Sequence, residues 1–326
     1  VGVLVAVLFC LGYGIEGGFE GMISALGSQD ENLVGWLNVT DVLYHSWWAV
    51  FAVFLAHVPL GMLPHIGNKL WALKEPTQRM QFIRLAFVFA LILAMLGFGG
   101  IMARVILGEG IDSNQALALL FIDLFPSWFA ALLGVGILAA VMSTADGLVV
   151  SSSQIVANDL YRLSFVPRYR KDLSEEEIER RSLNISRIST VVIMILCTLL
   201  AWQTLDMNVT ILVWIGVGCM MAAFAGPLIL GSVWSGVTKA GAFAGLLTGG
   251  GVYIITYLGV INPEWFGPGS LKDIALWLQR ESPNPYSCAA MGEIASIAVT
   301  VVVSKLTAPY PKEHIDALFG KSVPTD

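Results

Sequence analysis

A cluster of uncharged oxygen-bearing groups interrupts one of the most apolar parts of the chain. Ala140, Ser143 and Thr144 lie within five residues of each other, and on a helix the residues at i+3 and i+4 lie over residue i. Both hydroxyls can therefore sit beside the carbonyl oxygen of Ala140. A ligand set made only of oxygen suits a hard cation rather than a soft metal. The spacing predicts an incomplete sodium site, which a second element must complete.

Other interpretations of this segment stay open. Serine and threonine often donate to carbonyls of their own helix without any ligand. Asp146 follows two residues after Thr144. A carboxylate inside a membrane-spanning helix is a candidate functional group, but Asp146 could also lie neutral or paired on a hydrated face. The pattern alone does not choose between these roles.

A second irregular stretch, "HVPLGMLPHIGNK" at residues 57–69, carries Pro59, Gly61, Pro64 and Gly67 in an otherwise helical span. Proline removes a backbone donor and clashes with the preceding turn. A broken helix at membrane depth is tolerated where it lines a cavity or is buried in protein, and the ends of its halves offer dipoles and carbonyls to a solute. A simple proline kink is the alternative.

The elements that position these residues are predicted to be membrane-spanning helices. The chain is 56% hydrophobic and 13% charged, whereas soluble domains are about 25% charged. We therefore predict an all-α polytopic membrane protein with a single transmembrane domain over residues 1–326, truncated at its N-terminus. A span needs about 20 mostly apolar residues. Eight candidates fit, the first of them truncated: Val1–Ile15, Ser46–Ile66, Phe82–Arg104, Pro126–Ser152, Ser186–Gln203, Val209–Trp234, Ala240–Val260 and Cys288–Leu306.

The distribution of positive charge predicts the orientation. Of the 18 lysines and arginines, 15 fall in alternate loops or at the C-terminal end, and an excess of positive charge marks the cytoplasmic side. We expect a multi-pass protein of the cell inner (plasma) membrane with a cytoplasmic C-terminus. Residues Asp172–Arg181 are predicted to form a solvated helical patch in the long inner loop, and Glu281–Ser287 a turn in an outer loop.

Three motifs in order give the chain a resemblance to a known family. "GILAAVMSTADGLVVSSSQIVANDLYR" (Gly136–Arg162) resembles the signature helix of the sodium:solute symporter family. "LPHIGNK" (Leu63–Lys69) is similar to its broken helix, and "GPLILGSVWSGVTKAGAFAGLLTGG" (Gly226–Gly250) to its late helix pair. With the matching hydropathy, the resemblance covers nearly the whole chain.

The resemblance implies a LeuT-type fold of two inverted five-helix repeats with extra helices. On that mapping the chain starts within the fifth core helix, and the first four are missing. The sixth to tenth core helices follow, at 46–66, 82–104, 126–160, 186–203 and 209–234, and then two accessory spans. The resemblance also implies that Ala140, Ser143 and Thr144 supply one carbonyl and two hydroxyls to a sodium ion, and that the first core helix supplies the other ligands.

The resemblance further implies a solute site beside the broken helix, with His57, Leu60, Gly61 and Pro64 as candidate contacts. Proline carriers of the family have an aromatic pair where this chain has Ala56 and Leu60, which argues against proline. The "Leu-Pro-His" run is similar to carriers of pantothenate and monocarboxylates and favours a small carboxylate. A helix N-terminus can receive such a group.

The leading hypothesis is a sodium-coupled secondary symporter of a small organic solute. Its partners would be the solute, Na⁺ as coupling ion and the lipid bilayer. We expect no nucleic acid, and the oligomeric state is left open. One alternative is a proton-coupled carrier that uses Asp146. Another is a symporter-like sensor, which would need a soluble output domain after Leu306. Short motifs of membrane proteases and hydrolases do not occur in the sequence, so an enzyme is not expected.

Overall fold

The computed structural model describes residues 12, 14–39, 41–63, 65–67, 73 and 75–319. In these residues the regular structure is entirely helical, and six helices are long and apolar enough to cross a membrane. The prediction of an all-α polytopic membrane protein is therefore confirmed. In chain order the main helices are α1 Gly18–Gln29, α2 Trp47–Ala56, α3 Pro76–Ala94, α4 Leu96–Leu107, α5 Ala116–Leu124, α6 Ser127–Gln154, α7 Glu175–Gln203, α8 Val209–Phe224, α9 Lys239–Tyr257, α10 Ser270–Glu281, α11 Pro285–Leu306 and α12 Lys312–Phe319.

Six predicted spans coincide with these long helices. They correspond to Thr77–Leu107, Ser127–Tyr169, Glu175–Gln203, Val209–Val233, Lys239–Tyr257 and Pro285–Leu306. The predicted span at 46–66 contains α2, a 3-10 turn over Leu60–Met62 and a helical turn over residues 65–67. Nearly all of the first predicted span, Val1–Ile15, lies outside the described residues.

The helical patch predicted at Asp172–Arg181 continues into the span predicted after it. The charged patch after residue 172 and the following span are a single helix, α7, with no interruption. Ser174 caps its start by accepting a hydrogen bond from the Glu177 N–H at 3.3 Å. The negative charges of three glutamates in the first turn interact favourably with the positive end of the helix dipole. Because neither glycine nor proline occurs between Glu175 and Gln203, nothing ends the helix at the membrane surface.

The chain divides into two compact units, of which the first is Val1–Ala25 with Gly67–Asn208. Within it α6 packs against α7, and α5 packs against both α4 and α6. Phe121 and Ala130 are the buried centre of the α5–α6 contact. Elsewhere α3, α6 and α7 expose many large apolar side chains, as expected of helices that face lipid or other apolar helices.

The second unit is Leu26–Ile66 with Val209–Asp326, and its centre is the α9–α11 pair. Gly241, Gly245 and Gly249 recur every four residues on α9 and are all buried. They meet a matching row of small residues on α11, namely Gly292, Ser296, Thr300 and Ser304. Small residues at this spacing allow two backbones to approach closely, which is how helices associate where water cannot drive them together.

A π-helical segment, Ala225–Leu230, interrupts the span that begins with α8. Pro227 lies in this segment and cannot donate to the carbonyl of Ala223. Ser296 of α11 supplies the missing interactions, because its hydroxyl donates to the Ala223 oxygen at 3.4 Å and accepts from the Gly226 N–H at 3.0 Å. The irregular segment is thus held by one serine from a neighbouring helix.

Candidate functional site

The predicted sodium ligands lie on α6, which Pro126 precedes in an extended conformation. The helix continues regularly through Ala140, Ser143 and Thr144 to Gln154. All three residues are exposed within the described structure. Regular helical geometry therefore places one carbonyl and two hydroxyls on adjacent turns of an accessible face.

The Thr144 hydroxyl lies 3.3 Å from the carbonyl oxygen of Ala140 and donates to it. This contact is the one expected when threonine bonds back to its own helix. It also holds two of the three predicted ligand oxygens side by side, as a shared cation would require. The ion role of Ala140, Ser143 and Thr144 therefore stays a prediction. Asp146 is exposed and lies one turn after Ser143, so its carboxylate can reach the same face of α6.

The predicted solute contacts lie in the second unit, where the α-helix stops at Ala56. His57 follows in a turn and donates its ring Nδ1–H to the carbonyl of Val53. The carbonyl can only accept, so Nε2 of this exposed ring is the nitrogen that a ligand can reach. Leu60 is half-buried, and Gly61 is exposed with open space around it. Pro64 lies outside the described residues.

Two aromatic residues that the sequence did not single out pack around His57. The ring of Trp214, on α8, has its centroid 4.4 Å from that of His57, and the Tyr286 ring, on α11, lies 6.0 Å away and nearly parallel. Trp214 and Tyr286 also contact each other at 4.3 Å. Isolated aromatic residues in a membrane protein carry no distinct sequence signal, so only their packing reveals this cluster.

The comparisons with known proteins agree with this architecture. A model of the sodium:solute symporter family matches residues 3–249. The chain therefore belongs to the sodium:solute symporter family. The match includes α6 with its oxygen cluster and the break after α2.

The curated relatives are symporters. The chain is 26% identical over 249 residues to a sodium/pantothenate symporter of Haemophilus influenzae, covering 75% of this chain and 49% of the relative. It is 25% identical to the sodium/pantothenate symporter of Escherichia coli over 77% of this chain and 50% of the relative. A sodium/proline symporter of Staphylococcus aureus is 30% identical over 52% of this chain and 30% of the relative.

The chain spans about half the length of the curated relatives that it matches most extensively. No solved structure matches it. The family assignment therefore rests on sequence similarity, together with the helical architecture described above.

Proposed function

We propose that the protein is a sodium-coupled symporter in which Ala140, Ser143 and Thr144 bind the coupling ion. The observation that carries the proposal is the placement of the Ala140 carbonyl beside the Thr144 hydroxyl on α6, in a member of a sodium:solute symporter family. Three neutral oxygens are too few for a sodium ion. We propose that carbonyls on a segment outside this sequence complete the site.

Sodium would drive transport through a difference in affinity between two conformations. A ligand shifts an equilibrium only as far as it binds one state better than the other. Sodium that bridges α6 and a second helix would favour the state that is open to the outside and ready for solute. Loss of the ion to the cytoplasm would release the solute, because the two binding free energies are reciprocally coupled. The C-terminus would lie on the cytoplasmic side of the plasma membrane.

We propose that the solute is a small carboxylate, such as pantothenate or a monocarboxylate, and that it binds at the break after α2. His57, Leu60, Gly61 and Pro64 would line the site. The reachable Nε2 of His57 offers one polar contact, and Trp214 with Tyr286 hold the ring in place. The pantothenate symporters among the relatives support this choice of solute.

The sodium ligands are tested by removing the hydroxyls in the full-length protein. Ser143→Ala and Thr144→Ala should each raise the sodium concentration for half-maximal uptake about 10- to 150-fold, because a lost contact to a charged ligand costs about 1.5–3 kcal/mol. Thr144→Ser keeps the oxygen and should restore the wild-type value. Uptake into proteoliposomes at varied sodium measures the effect.

Thr198→Ala is the matched control for a merely structural role. Thr198 on α7 is exposed and donates to the Met194 carbonyl at 2.8 Å, the same back-bond that Thr144 makes on α6. This variant should leave the sodium dependence unchanged. Equal effects of Thr144→Ala and Thr198→Ala would reject the ion role. Uptake that a pH gradient drives without sodium would instead favour the proton-coupled alternative.

A further inference from the structure

A buried polar network joins the segment before α2 to the start of α11. His45 and Glu281 are 7% and 1% exposed, and Nε2 of His45 lies 2.9 Å from Oε1 of Glu281. The second carboxylate oxygen, Oε2, accepts from the Ser287 hydroxyl at 2.9 Å, and Ser287 in turn accepts from the indole N–H of Trp48. Within the described part of the chain, none of the hydrogen bonds of this network involves His57, Leu60 or Gly61.

The hydrogen bonds of this network determine where protons must be. Nδ1 of His45 lies 3.0 Å from the carbonyl of Val42, and a carbonyl only accepts, so Nδ1 carries a hydrogen. An indole only donates, so the Ser287 hydroxyl is free to give its own hydrogen to Oε2 of Glu281. The remaining contact, between Nε2 and Oε1, is made only if one further proton lies between those two atoms.

That proton can occupy either of two positions in the network. On Nε2 it gives an imidazolium paired with a carboxylate, and on Oε1 it gives a neutral imidazole that accepts from a carboxylic acid. Without it, the Nε2 lone pair faces a carboxylate oxygen at 2.9 Å in a site closed to water. Such a buried, unsatisfied contact is strongly unfavourable. The contact between the two groups therefore requires one shared proton.

We propose that His45 and Glu281 form a proton-binding site, and that the bound proton fastens the segment 41–48 to the α10–α11 corner. Loss of the proton as the pH rises releases the segment. Because α2 follows directly and ends at the break beside His57, the proton also controls how firmly α2 is anchored. On the orientation that the charge distribution predicts, the site faces the outside and responds to external pH.

Other titratable groups surround this pair. They come from the same segment, from α10 and from α11: Asp41, Tyr44, Arg280, Tyr286 and Cys288. Burial and the nearby charge of Asp41 raise the pKa of Tyr44 above its ordinary value, so its phenol stays neutral in the physiological range. Arg280 is exposed to solvent, and the Cys288 thiol contacts the Glu281 backbone carbonyl at 3.7 Å rather than its carboxylate.

Glu281→Gln tests the proposal directly. An amide at this position donates to Nε2 of neutral His45 and still accepts from Ser287, so the network is complete without the extra proton. In the wild-type protein, protection of residues 41–48 from hydrogen exchange, corrected for intrinsic rates, should fall about tenfold from about pH 5.5 to about pH 8.5. In Glu281→Gln the protection should stay high at both values.

Two further variants complete the experiment, which is done on the full-length protein without sodium or solute. His45→Ala should leave the segment unprotected at both pH values. Glu264→Gln removes one partner of the exposed Lys272–Glu264 pair at 3.3 Å and should behave as wild type. Protection that does not depend on pH in the wild type overturns the proposal, as does a Glu281→Gln variant that keeps the wild-type pH dependence. If His45→Ala does not fold, the comparison of the wild-type protein with Glu281→Gln still tests the proposal.

Discussion

At the scale of single residues, the second unit depends on positions where only hydrogen fits. A Cβ at Gly245 would overlap the Thr300 hydroxyl, and one at Gly249 would overlap the carbonyl of Ala222. Both glycines have ordinary helical φ values, so their role is close approach and not an unusual backbone conformation. The close approach that they permit brings α9 against Ser296 and Thr300 of α11.

Gly245→Ala should therefore destabilise the protein by about 1–3 kcal/mol, because an added methyl group in a packed interface forces the helices apart. Gly251→Ala is the matched control on the same helix, since the space around Gly251 is open and alanine favours a helix by up to about 1 kcal/mol. Thermal unfolding in detergent should show a lower Tm for the first variant only. A Tm that is equal in both variants would argue against the close packing.

At the scale of elements, two irregular helical segments contact side chains from other helices. The π segment after α8 depends on Ser296, which bonds both the Gly226 N–H and the Ala223 carbonyl. The break after α2 lies beside His57, whose ring packs on Trp214 and Tyr286. Breaks in membrane helices persist only where their freed backbone groups are satisfied or solvated.

Ser296→Ala should lower stability by about 1–3 kcal/mol, because it leaves the buried Gly226 N–H without its partner. Ser232→Ala removes an exposed hydroxyl that donates only to its own helix, at the Ile229 carbonyl, and should be close to neutral. Denaturation of the two variants in detergent gives the comparison. Equal stability would mean that water or a rearranged helix satisfies the Gly226 N–H.

At the scale of the whole molecule, membership of the sodium:solute symporter family leaves the solute open. Relatives include symporters of pantothenate and of proline. The proline carriers of the family are expected to have aromatic rings where this chain has Ala56 and Leu60. Ala56 is fully buried in the cluster with Tyr253 and Tyr286, and its methyl side chain offers no ring to a pyrrolidine.

Sodium-driven uptake of labelled pantothenate by the full-length protein should therefore be inhibited by excess unlabelled pantothenate and not by proline. An apolar contact that is missing from a pocket lowers the binding of an organic solute by about 1–3 kcal/mol. Competition at several concentrations of each compound measures the preference. Sodium-driven proline uptake that pantothenate does not affect would contradict the proposed solute class.

The sequence by itself determined the features that depend on short-range periodicity. Apolar runs of span length gave six helices that the structure contains, and the i, i+4 spacing placed the Thr144 hydroxyl beside the Ala140 carbonyl. Prolines and glycines in 57–69 indicated the break that begins after Ala56. These features were predictable because backbone geometry over a few residues decides them.

Only the tertiary structure decided which distant residues meet. His45 and Glu281 are 236 positions apart, and Ser296 lies 70 positions after Gly226, so no local pattern connects them. Glu281 belonged to a stretch that was predicted as a turn, but it is the last residue of α10, buried against His45. Such pairings arise when helices dock, because the shape of both surfaces and the need to satisfy every buried polar group select the partner.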